Sequence, residues 1–345
     1  MTQQTANFIS ERACPSIAYR IKKEIIREDI SNPDMQTLQS KILEESEIVR
    51  IFTLRRSDGW LGGYFHGVDE PESLIRYLIE KGVEPTNPII LDALNAIIIA
   101  GEQFDHGSMG NVGKPLDDFH FGGSKLMKAC VFAYAGKEDY DFVREQIKES
   151  LDVFRYVCEV NTTESIYDIY RDKKVFQVGV KWPSIYHLRL LAYTKSWRNA
   201  KNYDVLIESI QKLVQLSPIP EIKFRYKSQI ISPASIYMNN FNVDMKNLTA
   251  KEWMMWFHRT ELISRLGIAR KIDTIRKQLD YVTSMVNENN GLFMTKLNHY
   301  YFTKWTGYTG LALENNWKSE IKRVNDLTFR HLLILSLLNN QVCIN

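Results

Sequence analysis

The sequence predicts an all-α protein made of repeated antiparallel helix hairpins. Three observations carry that prediction. Apolar residues recur with the helical period along most of the chain. One hairpin pattern is written more than once. Sustained period-two alternation is nearly absent, residues 175–180 being the best strand candidate.

The elements follow in chain order. Residues 72–81, a turn at Gly82-Val83-Glu84-Pro85 and a helix from Asn87 form one hairpin. Segments 89–100, 126–134 and 332–338 are apolar on most faces, as a helix buried on all sides must be. Other helices carry a single apolar stripe. Phe142, Val143, Ile147, Leu151, Phe154 and Cys158 make one. Leu206, Ile210, Leu213 and Val214 make a second, and Ile272, Ile275, Leu279, Val282 and Val286 a third. A chain that mixes wholly buried and one-faced helices implies two layers, the inner wrapped by the outer.

The repeat is clearest between residues 124–134 and 184–193. Each begins with a serine placed to cap a helix (Ser124, Ser184), ends in Ala-Tyr, and turns into Tyr140-Asp141 or Tyr203-Asp204 before a long amphipathic helix. Residues 256–266, a turn at Gly267 and a helix over 271–286 repeat the theme. Short turns make neighbouring helices antiparallel. No Pro/Ser-rich linker divides the chain, so all 345 residues are read as one domain.

Composition bounds the function. With 44 basic and 41 acidic residues the formal charge is only +3, which argues against a protein that coats nucleic acid by charge. Lys22-Lys23 and the trio Lys223, Arg225 and Lys227 are local basic patches of the kind helix surfaces carry. Cys14, Cys130, Cys158 and Cys343 form no C-x-x-C pair and read as reduced thiols. Residues 2–12 are polar, unlike a signal peptide, and the apolar runs are too short to span a bilayer. Cytoplasm is the expected location.

Loops rich in glycine and aromatics join the hairpins. Asp58-Gly59-Trp60 and Asn290-Gly291-Leu292-Phe293 resemble the Gly-Trp or Gly-Phe element that opens inner helices in the α/α-toroid superfamily of terpenoid cyclases and protein prenyltransferase β-subunits. Cys14-Pro15-Ser16-Ile17-Ala18-Tyr19-Arg20 is similar to the N-terminus of small bacterial proteins with squalene-cyclase-like repeats. The resemblance implies a single barrel whose inner helices surround a central cavity, with helix N-termini at one rim suited to anions. Two departures limit it. The cyclase acid motif Asp-x-Asp-Asp has only Leu116-Asp117-Asp118-Phe119 as a counterpart, without the leading Asp, and no cysteine sits in a prenyltransferase-like zinc context. Neither activity is carried over, and no motif names a cofactor.

Four constellations are candidates for chemistry. Asp117, Asp118 and His120, with Asp105 and His106 before them, can serve as an acid/base cluster or divalent-metal ligands, while Asp118 also suits the dipole of the helix that follows. Asp58, Trp60, Tyr64 and His66 lie in a Gly-rich loop that can be a site or a turn. Trp182, Tyr186, His187, Trp253, Trp256, Phe257, His258 and Arg259 read as core or as the lining of a ligand cavity. Tyr300, Tyr301, Trp305 and Tyr308 form an aromatic loop that can pack or act as a lid. The leading expectation is an aromatic-lined cavity for a small, largely apolar ligand or an extended peptide. Within it, Asp118 and His120 (with Asp117), then Asp58 and His66, are the acid/base candidates. Its rivals are a non-catalytic helical-repeat scaffold for a protein partner and, third, an open superhelix holding nucleic acid.

Overall fold

A computed structural model describes residues 2–99 and 109–339 of the chain. Asp105, His106 and Cys343 lie outside the described residues. Among these, fourteen α-helices and four short strands are present, in keeping with an all-α class. The described residues group into two compact units: residues 2–99, 245–267 and 277–339 form the first, residues 109–244 and 268–276 the second.

The second unit holds the repeat that the sequence announces. Helix α8 (Ser124–Tyr134) turns into α9 (Asp141–Glu159), and α10 (Ile185–Tyr193) into α11 (Ala200–Leu216). Helix α8 packs on α10 and α9 on α11. The pairs thus form two layers, as expected from their patterning. Every residue of α10 from Ile185 to Ala192 is buried, as is α8 from Ala129 to Tyr134. The outer helices bury one stripe each, Val143, Ile147, Leu151, Phe154 and Val157 on α9 and Leu206, Ile210 and Leu213 on α11. Each such side chain contributes about 1.5–3 kcal/mol when fully buried.

The turns explain why the pairs close. After α8, Gly136 takes φ 68, and the amides of Gly136 and Lys137 donate back to Ala133 and Phe132, a Schellman end that a left-handed residue permits. Helix α11 begins one turn earlier than Tyr203-Asp204 suggested, because the Asn199 side chain accepts from the Asn202 amide at 3.0 Å and caps it there. The serine expected to cap α8 is its first residue instead. Gly123 occupies the cap position, where a Cβ would lie 1.8 Å from the Gly113 carbonyl oxygen.

The strand expectation shifts in the same unit. Strand β1 (Tyr167–Tyr170) pairs antiparallel with β2 (Lys173–Phe176), so the strand precedes residues 175–180 and overlaps them only at its end. Arg171 and Asp172 both have positive φ, which suits a two-residue hairpin turn. A second hairpin, β3 (Phe224–Tyr226) with β4 (Gln229–Ile231), was not anticipated; its strands of three residues are too short to show alternation. The short helix α7 (Lys114–Asp118) precedes α8.

The first unit contains α1 (Thr2–Ser10), α2 (Pro15–Arg20) continuing into a π-helical segment Ile21–Ile26, α3 (Pro33–Leu43), α4 (Ser46–Thr53), α5 (Pro71–Glu80), α6 (Pro88–Ile99), α12 (Ala250–Leu266) and α14 (Glu320–Asn339). Helix α13 (Asp273–Glu288) belongs to it from Lys277 onward. The hairpin expected over 72–81 and beyond is α5 and α6, and Gly267 ends α12 in the left-handed region as its turn position implied. Helix α14 packs on α12, α1 and the π-helical segment. Ala6, Ile9, Ile17, Ile21, Leu313, Phe329, Leu332 and Leu333 form a core around it.

That core also buries charge. Arg20 pairs with Glu24 and Glu80, Arg330 with Glu80 and Glu261, and Arg265 with Glu261 and Glu24, closing a ring of alternating sign. Arg20, Glu261 and Arg330 are nearly inaccessible, and Arg330 also donates to the Leu311 carbonyl. Burial opposes the charge on Glu24, but Arg20 and Arg265 overcome it and hold its carboxyl at about 2. Glu80 is likewise held well below the usual range, burial being outweighed by Arg330 and Arg20.

Two outcomes follow for urea unfolding. Glu80→Ala leaves Arg20 and Arg330 facing each other without their shared carboxylate, and is expected to cost about 3–5 kcal/mol. Because the folded-state pKa values of Glu24 and Glu80 lie below the ordinary 4.5, their contribution is complete above that value and is lost as pH falls toward about 2. A Glu80→Ala variant as stable as the wild type, or stability flat across that window, would refute the ring's role.

Candidate functional site

The site with the most convergent chemistry lies in the second unit, where α8 and α10 both begin. Its parts come from the α7–α8 loop, from α9 and from the start of α10. Helix α7 is little more than one turn, with Pro115 near its start. The chain then reverses: His120 takes φ 61 and Gly122 φ 82. The Asp117 carboxylate spans the loop, accepting from the Gly123 amide at 3.0 Å and the Lys125 amide at 3.1 and 3.2 Å. It thereby satisfies donors that open α8. Burial pushes its carboxyl up to about 6, against the pull of those amides and Lys125.

At the start of α10, Ser184 and His187 form a reciprocal capping box. His187 Nδ1 accepts from the Ser184 amide at 3.0 Å and lies 2.9 Å from Ser184 Oγ. An accepting Nδ1 leaves the proton of the neutral ring on Nε2. Burial, and to a lesser degree the neighbouring His120, lowers the His187 pKa to about 3, so this ring is neutral at physiological pH. Gly122 sits between the two parts: a Cβ there would lie 2.8 Å from Ser184 Oγ and 3.1 Å from His187 Cε1.

His120 supplies the reactive-looking group. Its Nδ1 lies 2.6 Å from Glu149 Oε1 on α9, and Gln146 donates to the other carboxylate oxygen at 3.0 Å. The ring is 43% exposed, and its Nε2 has no partner among the described residues. A histidine oriented by a fixed carboxylate, with one ring nitrogen open, can take or give a proton.

Aromatic rings run beside this cluster. Trp182 lies 6.1 Å from Phe176, Phe176 lies 4.7 Å from Phe121, and Phe121 lies 5.1 Å from Phe224. Phe224 meets Phe119 at 4.8 Å, and Phe119 reaches Tyr226 at 6.3 Å. Trp182 is 1% exposed, yet its indole N–H has no acceptor among the described residues.

The sequence-predicted residues divide between the units. Asp117, His120, Trp182 and His187 fall in the second, and the loop brings Asp117, His120 and His187 together. Asp118 does not join them. It is exposed at the end of α7, and the acidic cap expected of it is made by Asp117.

Asp58, Trp60, His66, Trp256, His258, Trp305 and Tyr308 belong to the first unit. Asp58 accepts from the Trp60 amide at 3.0 Å and pairs with Arg56, which is the work of a turn. Trp60 is wholly buried and donates to the Gly63 carbonyl. His66 is not joined to Asp58 but to the buried Glu72; burial opposes its charge, yet Glu72 raises its pKa above the ordinary value. Trp256 is core, packed on Trp253 and Phe257 with its indole donating to Gln278 at 3.0 Å, and His258 is buried on the same helix. Trp305 meets Tyr77 edge-on and lies under the Arg76 guanidinium, which also donates to the carbonyls of Thr309 and Gly310. Tyr308 is 41% exposed in that loop.

Among the described residues no group of three or more His, Cys, Asp or Glu could hold a metal ion. Glu149 and Gln146 were missed by sequence reasoning, since each reads as one more polar position on an outer helix. In comparisons with protein-family models, curated proteins and solved structures, nothing matches the chain.

Capping and exposure give opposite outcomes for neighbouring aspartates. Asp117→Ala is expected to lower stability by about 1–2 kcal/mol through lost capping. Asp118→Ala is expected to change it by less than about 0.5 kcal/mol. Denaturant midpoints measure both; a larger loss at Asp118 would overturn this assignment.

Proposed function

We propose that the chain is an α/α-toroid-like protein that binds a small, largely apolar ligand where α8 and α10 begin, with His120 and Glu149 acting as an acid/base pair on it. The observation that carries this reading is the buried Trp182 indole N–H, which has no acceptor among the described residues and lies two residues before Ser184 beside an aromatic series. Leaving such a donor unmet costs about 1–3 kcal/mol, so a bound acceptor would be stabilising. A ligand with an apolar body and one carbonyl, hydroxyl or carboxylate oxygen meets both demands.

Three further points support the reading. The largely buried α8 and outer α9 repeat as α10 and α11, the two-layer hairpin pattern of the superfamily that the sequence resembles. His120 Nε2 is open while its Nδ1 is held by Glu149, the polarity a proton-transfer group needs. Cys14, Cys130 and Cys158 are free thiols, which suits a reducing compartment such as the cytoplasm. Among the described residues no helix is long and apolar enough to cross a membrane.

The test is a panel of small apolar ketones, alcohols and carboxylic acids, followed by intrinsic fluorescence and melting temperature. At least one class is expected to bind saturably. Trp182→Phe keeps the ring's bulk but removes the donor, and is expected to weaken that binding about fivefold, the worth of one hydrogen bond. His120→Ala is expected to spare folding and abolish any turnover of the bound compound. Failure of the whole panel to bind, or equal affinity for wild type and Trp182→Phe, would contradict the proposal.

A further inference from the structure

An open groove of about 320 Å³ lies in the second unit, between the start of α7 and the β3–β4 turn. We infer that it is a separate binding site for a small phosphate ester. Its polar lining comprises Asn111, Lys114, Lys227, Ser228 and Gln229, with the Tyr226 ring beside them. Among the described residues no acidic side chain lines it. In a chain whose 44 cations nearly balance 41 anions, two lysines without a carboxylate make a local excess of positive charge. Neither lysine has an ion-pair partner among the described residues.

The turn sets where one of the lysines sits. Tyr226 pairs with Gln229, so Lys227 and Ser228 form a two-residue loop. Lys227 takes φ 54, a conformation that favours glycine or asparagine in such turns. Arg171 and Asp172 take the same region in the β1–β2 turn, so the value follows from the hairpin and fixes Lys227 beside the groove.

The donor set selects the ligand. Two ammonium groups, a hydroxyl and two carboxamides offer more hydrogens than the two oxygens of a carboxylate can use. The three terminal oxygens of a phosphate ester accept them better, and lysine serves phosphate well as a point charge. Lys227 Nζ lies 5.3 Å from the Tyr226 ring centroid, which places the ammonium over that ring at the groove. The volume falls at the small end of ligand sites, about 300–1,000 Å³, which fits a compound of sugar-phosphate size.

Calorimetric titration of the full chain at low salt tests the inference, with ribose 5-phosphate, inorganic phosphate and ribose as probes. Ribose 5-phosphate is expected to bind saturably and more tightly than inorganic phosphate, and ribose not at all. Lys114→Gln is expected to weaken binding about tenfold or more, equivalent to about 1.4 kcal/mol. Lys227→Gly should do the same while melting at an equal or higher temperature, since glycine relieves the turn. Should Lys227→Gly fail to fold, Lys114→Gln decides alone. Absence of saturable phosphate binding at millimolar concentration, or affinity unchanged in Lys114→Gln, would overturn the site; inorganic phosphate binding as tightly as the ester would overturn its assignment to esters.

Discussion

Helices buried along most of their length set the terms for both units. An apolar side chain on such a helix is rewarded wherever it points, but every polar group it carries must be satisfied by protein. In the first unit α12 and α14 bring Glu261, Arg265 and Arg330 into this setting. In the second, α8 and α10 bring their N-terminal backbone amides, which Asp117 and the Ser184–His187 box meet, and His187 itself. The cost of an unmet buried donor or charge exceeds the gain from any single apolar contact, so these polar groups fix the arrangement more sharply than the aliphatic residues around them.

The two units meet this demand differently. The first closes three guanidinium and three carboxylate groups into a ring with no net charge, and each member touches two of opposite sign. Such an arrangement tolerates little displacement of α2, α5, α12 or α14, because moving one helix strands two partners. The second uses short-range caps, with Asp117 for α8 and the Ser184–His187 box for α10. Caps act within one turn and leave nearby groups less constrained. His120 remains half-exposed, and among the described residues its Nε2 and the Trp182 donor have no partner. The ring is thus a structural device, and the capped ends are where the proposed binding chemistry would sit.

Much of this was legible in the sequence, for reasons that particular residues make plain. The periodic stripes of α9 and α11 and the mostly apolar segment 126–134 of α8 gave the layers, because burial patterning is a local property. The paired Ser…Ala-Tyr segments exposed the repeat. Capping was legible as a category but not in detail: Ser184 caps α10 as read, whereas the serine before α8 is displaced by Gly123, whose position only the nearby Gly113 carbonyl explains. The acidic pair was read one residue off, since nothing local distinguishes Asp117 from Asp118 until the loop folds back on the amides of Gly123 and Lys125. Glu149 was invisible because its partner His120 lies 29 residues away, and closure of the ion ring because the pairs that join its helices span from 60 to 250 residues. In hindsight Glu261 and Arg265, spaced i,i+4 within a helix that also carries tryptophans, and Arg330 amid an aliphatic run were signals of buried charge.

The state of His187 tests the account most directly, because it reports at once on the burial of α10, on the capping box and on the surroundings of His120. Nitrogen-15 NMR of the imidazole rings across a pH titration reads it. The expected result is a ring that stays neutral, with its proton on Nε2, until the pH approaches about 3 or the protein unfolds. A His187 that titrates near the ordinary 6.5, or that carries its proton on Nδ1, would contradict the capped, buried start of α10 and with it the site built there.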